Sequence, residues 1–546
     1  MAQKEPKLYV RPASGLVREV SATKALAFSL GSAVAWEPAW VPVFVTLGLP
    51  AFLIGGWTSL SFGVVVAGIF TMFVLSPIYA YLAAALPRSG GDQVYTTRIT
   101  HPLLGFVESW TFIFSIFAFM GYGLNVLVYT LSASLRIVSF LTPDPWNAWS
   151  AALTGSTGMM IVGTVIMALI FLVSMQPTRR FHSLNAIIVF SGLILSAAVV
   201  PFAFGIDPTA FATNLQAFTG KTVQGLIQEA ANGGFAVGAF SIAGLGLVLG
   251  TGLLEFVGFQ YTGFIAGELK GNVSRSIVFA FSATCLVVIV IHTFFLQLIV
   301  NAFGSDFLFA MSYLYYTTGT APVIPLAQTL IAIAKPEISG IMAISAFGSF
   351  LIGFGLAICW VTTASRTAFA WSMDRLIPTS FSKIDARTKQ PLRLICLFVA
   401  IWYVSFIGSV YGYTFITGAL TSILLSMFVW ILPGVNALLL PFRRKDLYEL
   451  IPASMRKNFG IPVISILGII WLCFAIPVFF LYAFWPIIGA AYGSNVIGVL
   501  NVALTTGLVL FVSITIAGIV VYFLSQWYNK RHGIDMSLLF KTVPPE

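Results

Sequence analysis

Charge is what this sequence has least of. Only 8% of its 546 residues are Asp, Glu, Lys or Arg, and 58% are hydrophobic. A typical soluble domain is roughly a quarter charged, so an aqueous fold is excluded and lipid is the solvent. Histidine and cysteine are scarce too, with four of each. Cys285, Cys359, Cys396 and Cys473 all lie in apolar stretches without disulfide or metal spacing, and read as small core residues. The scattered histidines do not supply the clustered His/Asp/Glu site that a membrane-embedded enzyme needs. No Walker-type glycine loop is present, so ATP is not the direct energy source, and no metal or cofactor is expected. A cleavable leader is also missing: the chain is polar to about Ser21, and no short apolar stretch with a cleavage site follows.

What is present is a series of long apolar runs. Twelve are long enough to span a bilayer at about 20 residues each: 23–47, 58–86, 103–140, 156–175, 182–204, 235–267, 276–302, 338–376, 392–411, 414–440, 461–486 and 499–527. The expected fold is an all-α polytopic membrane protein. The net charge of +10 would suit nucleic acid, but its distribution does not. Lys and Arg gather in the N-terminal tail (1–22), in alternate loops (Arg88, Arg98; Arg179, Arg180; Lys270, Arg275; Arg375 to Arg393; Arg443 to Lys457) and in the C-terminal tail (528–546). The opposite loops hold only Lys221 and Lys335, with Arg136 at a helix end, where it is expected to snorkel outward. The positive-inside rule then places both termini in the cytoplasm of a plasma-membrane protein.

Two glutamates interrupt the apolar runs. Glu37 sits in the first, before Pro38, and Glu255 in the sixth, near Gly258. A carboxylate at membrane depth costs about 2.5–3.5 kcal/mol, so it is rare unless it works or is paired. Glu37 lies 14 residues after the start of its run, and Glu255 lies 13 before Glu268 at the end of its own. At 1.5 Å per residue both are roughly 20 Å deep. Helices 1–5 (23–204) and 6–10 (235–440) can be laid over one another. An odd count per half gives the halves opposite topology, a 5+5 inverted repeat with helices 1 and 6 broken, followed by helices 11 and 12 (461–527).

Three stretches carry a family resemblance. The first is Leu86-Pro87-Arg88-Ser89-Gly90-Gly91-Asp92-Gln93-Val94-Tyr95, followed by Pro102 to Phe106 and Trp110. The second is Phe256-Val257-Gly258-Phe259 with Ala266-Gly267-Glu268-Leu269-Lys270, and the third is Ala364-Ser365-Arg366 with Met373 to Pro378 and Pro391. In this order they resemble the amino acid–polyamine–organocation (APC) superfamily of secondary transporters. That resemblance implies substrate held between the breaks of helices 1 and 6, and a bundle of helices 1, 2, 6 and 7 rocking against a scaffold of 3, 4, 8 and 9. Where the family has a Gly-Ser-Gly-like run for a substrate carboxylate, this chain has Ala35-Trp36-Glu37. Added negative charge there and at Glu255 favours an amine or a proton.

The candidate substrate-binding set is Ser32, Ala33, Val34, Ala35, Trp36 and Glu37 on helix 1, Tyr122 and Asn125 on helix 3, and Glu255, Phe256, Val257, Gly258 and Phe259 on helix 6. Asn125 also reads as an ordinary interhelical bond. Glu108 is expected in an interfacial pair with Arg88 or Arg98. His292 is read as bonded to a backbone carbonyl, with a proton relay as the alternative. The hydroxyls of Thr362 and Thr363 are read as bonding back to their own helix rather than holding sodium. The outer loops 205–234 and 303–337 are long enough to act as lids. The expected function is a proton- or cation-coupled carrier for amino acids or organic amines, with a channel or a membrane-embedded enzyme as alternatives. Its partners would be a small-molecule substrate, H+ as the coupling ion and the lipid bilayer, with no nucleic acid.

Overall fold

In lipid no water satisfies a free N–H or C=O, so apolar runs of this length must become helices. The structure is a computed structural model that describes residues 15–33, 51–242, 244–315, 319–411, 415–487 and 498–541. Among these, ten helices are long and apolar enough to cross a membrane, or eleven if one bent pair counts as a single span. They are α2 (Gly56–Ala85), α3 (Pro102–Val138), α4 (Ser156–Ser174), α5 (Thr178–Ala203), the bent pair α6a (Leu245–Leu254) and α6b (Phe259–Glu268), α7 (Val273–Phe303), α8 (Ser339–Met373), α9 (Leu392–Tyr411), α10 (Phe415–Arg443), α11 (Val463–Ala483) and α12 (Gly498–Arg531). The remaining expected span, 23–47, is described as α1 (Ala22–Ala33) only. The break expected beside Glu37 therefore lies outside the described residues.

α1, α2, α6 and α7 pack on one another, while α8 packs on α3, α5 and α9. Of the ten helices α3 and α10 are the most enclosed and α12 the least, with its apolar side chains turned outward. α2 and α7 each carry a turn of π-helix, at Thr71–Leu75 and Ile291–Leu296. Such bulges often sit beside functional sites.

The sixth span starts ten residues later than its hydropathy suggests. Residues 235–241 are not helical. The Gly238 N–H donates to the Leu53 carbonyl at 2.8 Å, and the Gly55 N–H donates to the Gly238 carbonyl at 3.0 Å. This single bridge at Gly238 fastens the non-helical segment to the chain before α2. The two long loops hold short helices of their own: Pro208–Thr219, Val223–Asn232, Ser305–Tyr313 and Ala327–Ala334. Asn214 ties the first to the last by donating to the Ile333 carbonyl at 2.9 Å. Cys285 and Cys359 are buried as expected, but Cys396 and Cys473 are exposed on the outer faces of α9 and α11. A thiol is apolar enough to face lipid at little cost.

Candidate functional site

The break in the sixth span occupies Glu255 to Gly258, with a 43° bend between its halves. Gly258 makes it possible. Its φ is 103°, a value that side-chain-bearing residues rarely adopt, and a Cβ there would stand 2.7 Å from the Ser32 backbone. Glycine thus lets α1 and α6 touch backbone to backbone. Hydroxyls fasten the contact: Thr262 donates to the Ala25 carbonyl at 2.8 Å and lies 2.7 Å from the Ser29 hydroxyl.

A cavity of about 30 Å³ lies at this break. Ser32, Leu254, Glu255, Val257 and Tyr261 line one side, Ser115, Ile116 and Phe119 of α3 the other, and Trp360 and Ser422 complete it. This volume suits about one or two waters and no amino acid, so the site is shut in this conformation. Glu255 is 3% exposed, and its Oε1 has no hydrogen-bond partner among the described residues. A buried, incompletely bonded carboxylate at this depth is expensive unless it acts on something.

The structure thus brings together Ser32, Glu255 and Val257 from the sequence-derived set. Ala33 is buried beside Ser32. Phe256 and Phe259 are fully buried and turn away from the cavity. Phe256 abuts Gly68 of α2, and Phe259 packs on Tyr79, Phe281 and Trp430. Asn125 donates to the Ser409 carbonyl at 3.4 Å and bridges α3 to α9. Tyr122 lines a second cavity, and so does Arg136, which does not simply snorkel outward. Val34, Ala35, Trp36 and Glu37 lie outside the described residues. Sequence reasoning missed Ser115, Ile116, Phe119, Tyr261, Trp360 and Ser422. The α3 residues carry a weak signal, since they share a helical face with Tyr122. Trp360 and Ser422 sit on α8 and α10 with no motif around them.

One end of the molecule is sealed beneath the cavity. Glu268, at the end of α6b, accepts from Arg366 Nε at 2.8 Å and Nη2 at 3.2 Å, and His182 Nε2 lies 3.7 Å away. Arg366 also donates to Gln390 at 2.7 Å. The Glu268 carbonyl accepts from the Glu19 and Val20 N–H groups, and the Lys270 N–H donates to the Val20 carbonyl at 2.9 Å. The Gly90-Gly91 loop closes on the same helix through the Gly90 N–H and the Phe264 carbonyl at 2.9 Å.

Arg98 is buried against Asp374, with contacts of 2.6 and 2.7 Å. Glu108 is therefore not its partner, and the expected interfacial pair is corrected: Glu108 is fully buried, and neither of its oxygens accepts a well-formed hydrogen bond. The long Arg98 side chain reaches across to α8 instead. Asp92, between α2 and α3, accepts from the Tyr79 hydroxyl at 3.1 Å, and burial pushes its carboxyl up to about 7 against the pull of that bond. His292 reaches the Ser61 hydroxyl at 3.4 Å and stacks on Trp57. Thr362 does bond back to its own helix, donating to the Ile358 carbonyl at 3.0 Å, whereas the Thr363 hydroxyl, expected to do the same, has no hydrogen-bond partner among the described residues.

A multi-pass membrane protein with a small buried cavity at a helix break belongs to the class of membrane carriers. A sequence model of the amino acid permease family matches residues 21–504, and this chain is a member of that family. It is also similar to the aspartate-proton symporter of Bacillus subtilis (strain 168), at 21% identity over 329 residues, 59% of this chain and 55% of that protein. The chain thus spans about half the length of this curated relative.

Proposed function

We propose that the protein is a secondary transporter that carries an amino acid across the cell membrane by alternating access, with a proton as the coupling ion. The observation that carries this reading is Glu255, buried in a small cavity at the break of the sixth span with an oxygen that is unbonded among the described residues. A carboxylate so placed is a counter-charge for a substrate ammonium or a carrier of a proton. A proton cancels the Glu255 charge in the low-dielectric interior, whereas a substrate ammonium pairs with it. Family membership supports an amino acid as cargo, and the similarity to an aspartate-proton symporter supports the proton.

The basic loops support an orientation with the sealed end, Arg366 and Glu268 included, on the cytoplasmic side together with both termini. The two helix groups, one holding α1 and α6 and the other α3 and α8, supply the parts of a rocking mechanism, and the 5+5 inverted repeat would make the two end states alike. Glu37 is the second candidate for the coupling group.

Glu255→Gln tests the reading, because it keeps size and hydrogen bonding but cannot ionise. In proteoliposomes we expect this variant to lose pH-dependent uptake roughly ten-fold or more while remaining folded. Unchanged uptake and an unchanged pH profile in both Glu255→Gln and Glu37→Gln would remove the glutamates from the mechanism.

A further inference from the structure

α3 carries a stripe that the central site does not use up. Ser115, Tyr122, Tyr129 and Arg136 follow one another at intervals of seven residues. Seven residues are nearly two turns, so the four share one face. Ser115 lines the central cavity, and the other three line the second cavity, whose volume is about 380 Å³. Arg136 stands 21 positions beyond Ser115, roughly 30 Å along the helix and away from the sealed end.

The two cavities have opposite character. Among the described residues, Glu255 is the only charged one lining the central cavity and Arg136 the only charged one lining the second. Among the described residues Arg136 has no ion-pair partner. Tyr129 stands between Tyr122 and Tyr315, with ring centroids 6.4 and 5.9 Å away. The remaining wall includes Asn147 from the short helix Trp146–Thr154, which is fixed to α3 where Ser132 donates to the Ser150 carbonyl at 2.9 Å. The second cavity falls in the range of about 300–1,000 Å³ usual for small-molecule sites, and the central cavity lies far below it.

We propose that this second cavity is a receiving site for the carboxylate end of an amino acid, with Arg136 as the anion partner and the tyrosines as its walls. A guanidinium grips a carboxylate through two parallel hydrogen bonds. The amino acid would first be held by its carboxylate at Arg136. It would pass down the Tyr129–Tyr122 stripe when the central site opens, and its ammonium would then meet Glu255. Capture at Arg136 would draw a molecule that bears a carboxylate towards a chain whose central site is negatively charged. The inference rests on the proposed amino acid cargo.

The test uses the full chain in proteoliposomes. Counterflow of radiolabelled L-amino acids, L-aspartate first, selects the probe on the wild-type protein. Arg136→Gln is expected to raise KM for that probe roughly ten-fold, with the maximal rate within about two-fold, because a charge-assisted pair worth about 1.5 kcal/mol or more is lost from capture alone. Arg136→Lys should recover part of the loss. Ala151→Trp fills the cavity from the facing wall, should raise KM similarly, and carries the test if Arg136→Gln does not fold. An unchanged KM in the folded variants overturns the receiving site and leaves the carrier reading standing. Failure of every amino acid to give counterflow on the wild-type protein overturns the cargo, and the receiving site with it.

Discussion

At the residue scale, the molecule stands on buried polar groups whose partners differ sharply in quality. Glu268 and Asp374 are fully served by arginines, whereas Glu255 and Glu108 are not. Removing one member of a buried pair costs about 3–5 kcal/mol, which explains why the pairs at the sealed end hold so many elements together. Asp92 differs in kind, because burial has raised its carboxyl to about 7 from an ordinary value near 3.8. A raised folded-state value means that the native protein holds the proton more tightly than the unfolded chain. The resulting stability is fully present below about pH 4 and is lost as pH rises through 7. The wild-type melting temperature should therefore fall between pH 5 and 8, and Asp92→Asn should flatten that fall. Parallel pH slopes for the two proteins, read by tryptophan fluorescence, would show that Asp92 is not the group responsible.

At the element scale, the sixth span depends on one glycine. The motif around Phe256 to Phe259 signalled a break, and the break falls where the motif stands. Its closeness to Ser32 was not legible, because contacts between residues more than 200 positions apart leave no local pattern. Gly258→Ala adds one carbon 2.7 Å from the Ser32 backbone at a φ of 103°. It combines backbone strain with overpacking, each worth about 1–3 kcal/mol. We expect a lower melting temperature and a transport rate reduced at least several-fold, since α1 must stand off from α6. Wild-type values for both in the purified variant would mean that the close approach has no role in the cycle.

At the scale of the whole molecule, the sealed end and the second cavity lie at opposite ends of α3. The direction of transport then depends on which end faces the cytoplasm. The proposed orientation, drawn from the basic residues, has Arg443 inside and Lys221 outside. Single cysteines at these positions, in a background without the four native ones, should react oppositely with an impermeant thiol reagent in intact cells: Lys221→Cys labelled, Arg443→Cys protected. The reverse pattern would invert the topology and make the second cavity cytoplasmic.

Composition and periodicity by themselves determined the solvent, the helical class and most span boundaries, and the family resemblance around Phe256 to Phe259 pointed to the break in α6. These follow from local requirements: apolar length against bilayer thickness, backbone hydrogen bonding in lipid, and glycine where φ turns positive. The sequence also singled out Glu255 as a charge out of place. Only the tertiary structure decided that Phe256 and Phe259 face the core while Ser115, Phe119 and Trp360 face the cavity. It alone paired Arg98 with Asp374 instead of Glu108, and turned Arg136 into a cavity wall. The physical reason is that a nearly uniform apolar helix does not tell its lipid face from its protein face. Which side of such a helix is buried, and which distant residue meets it there, is set by the neighbours it packs against.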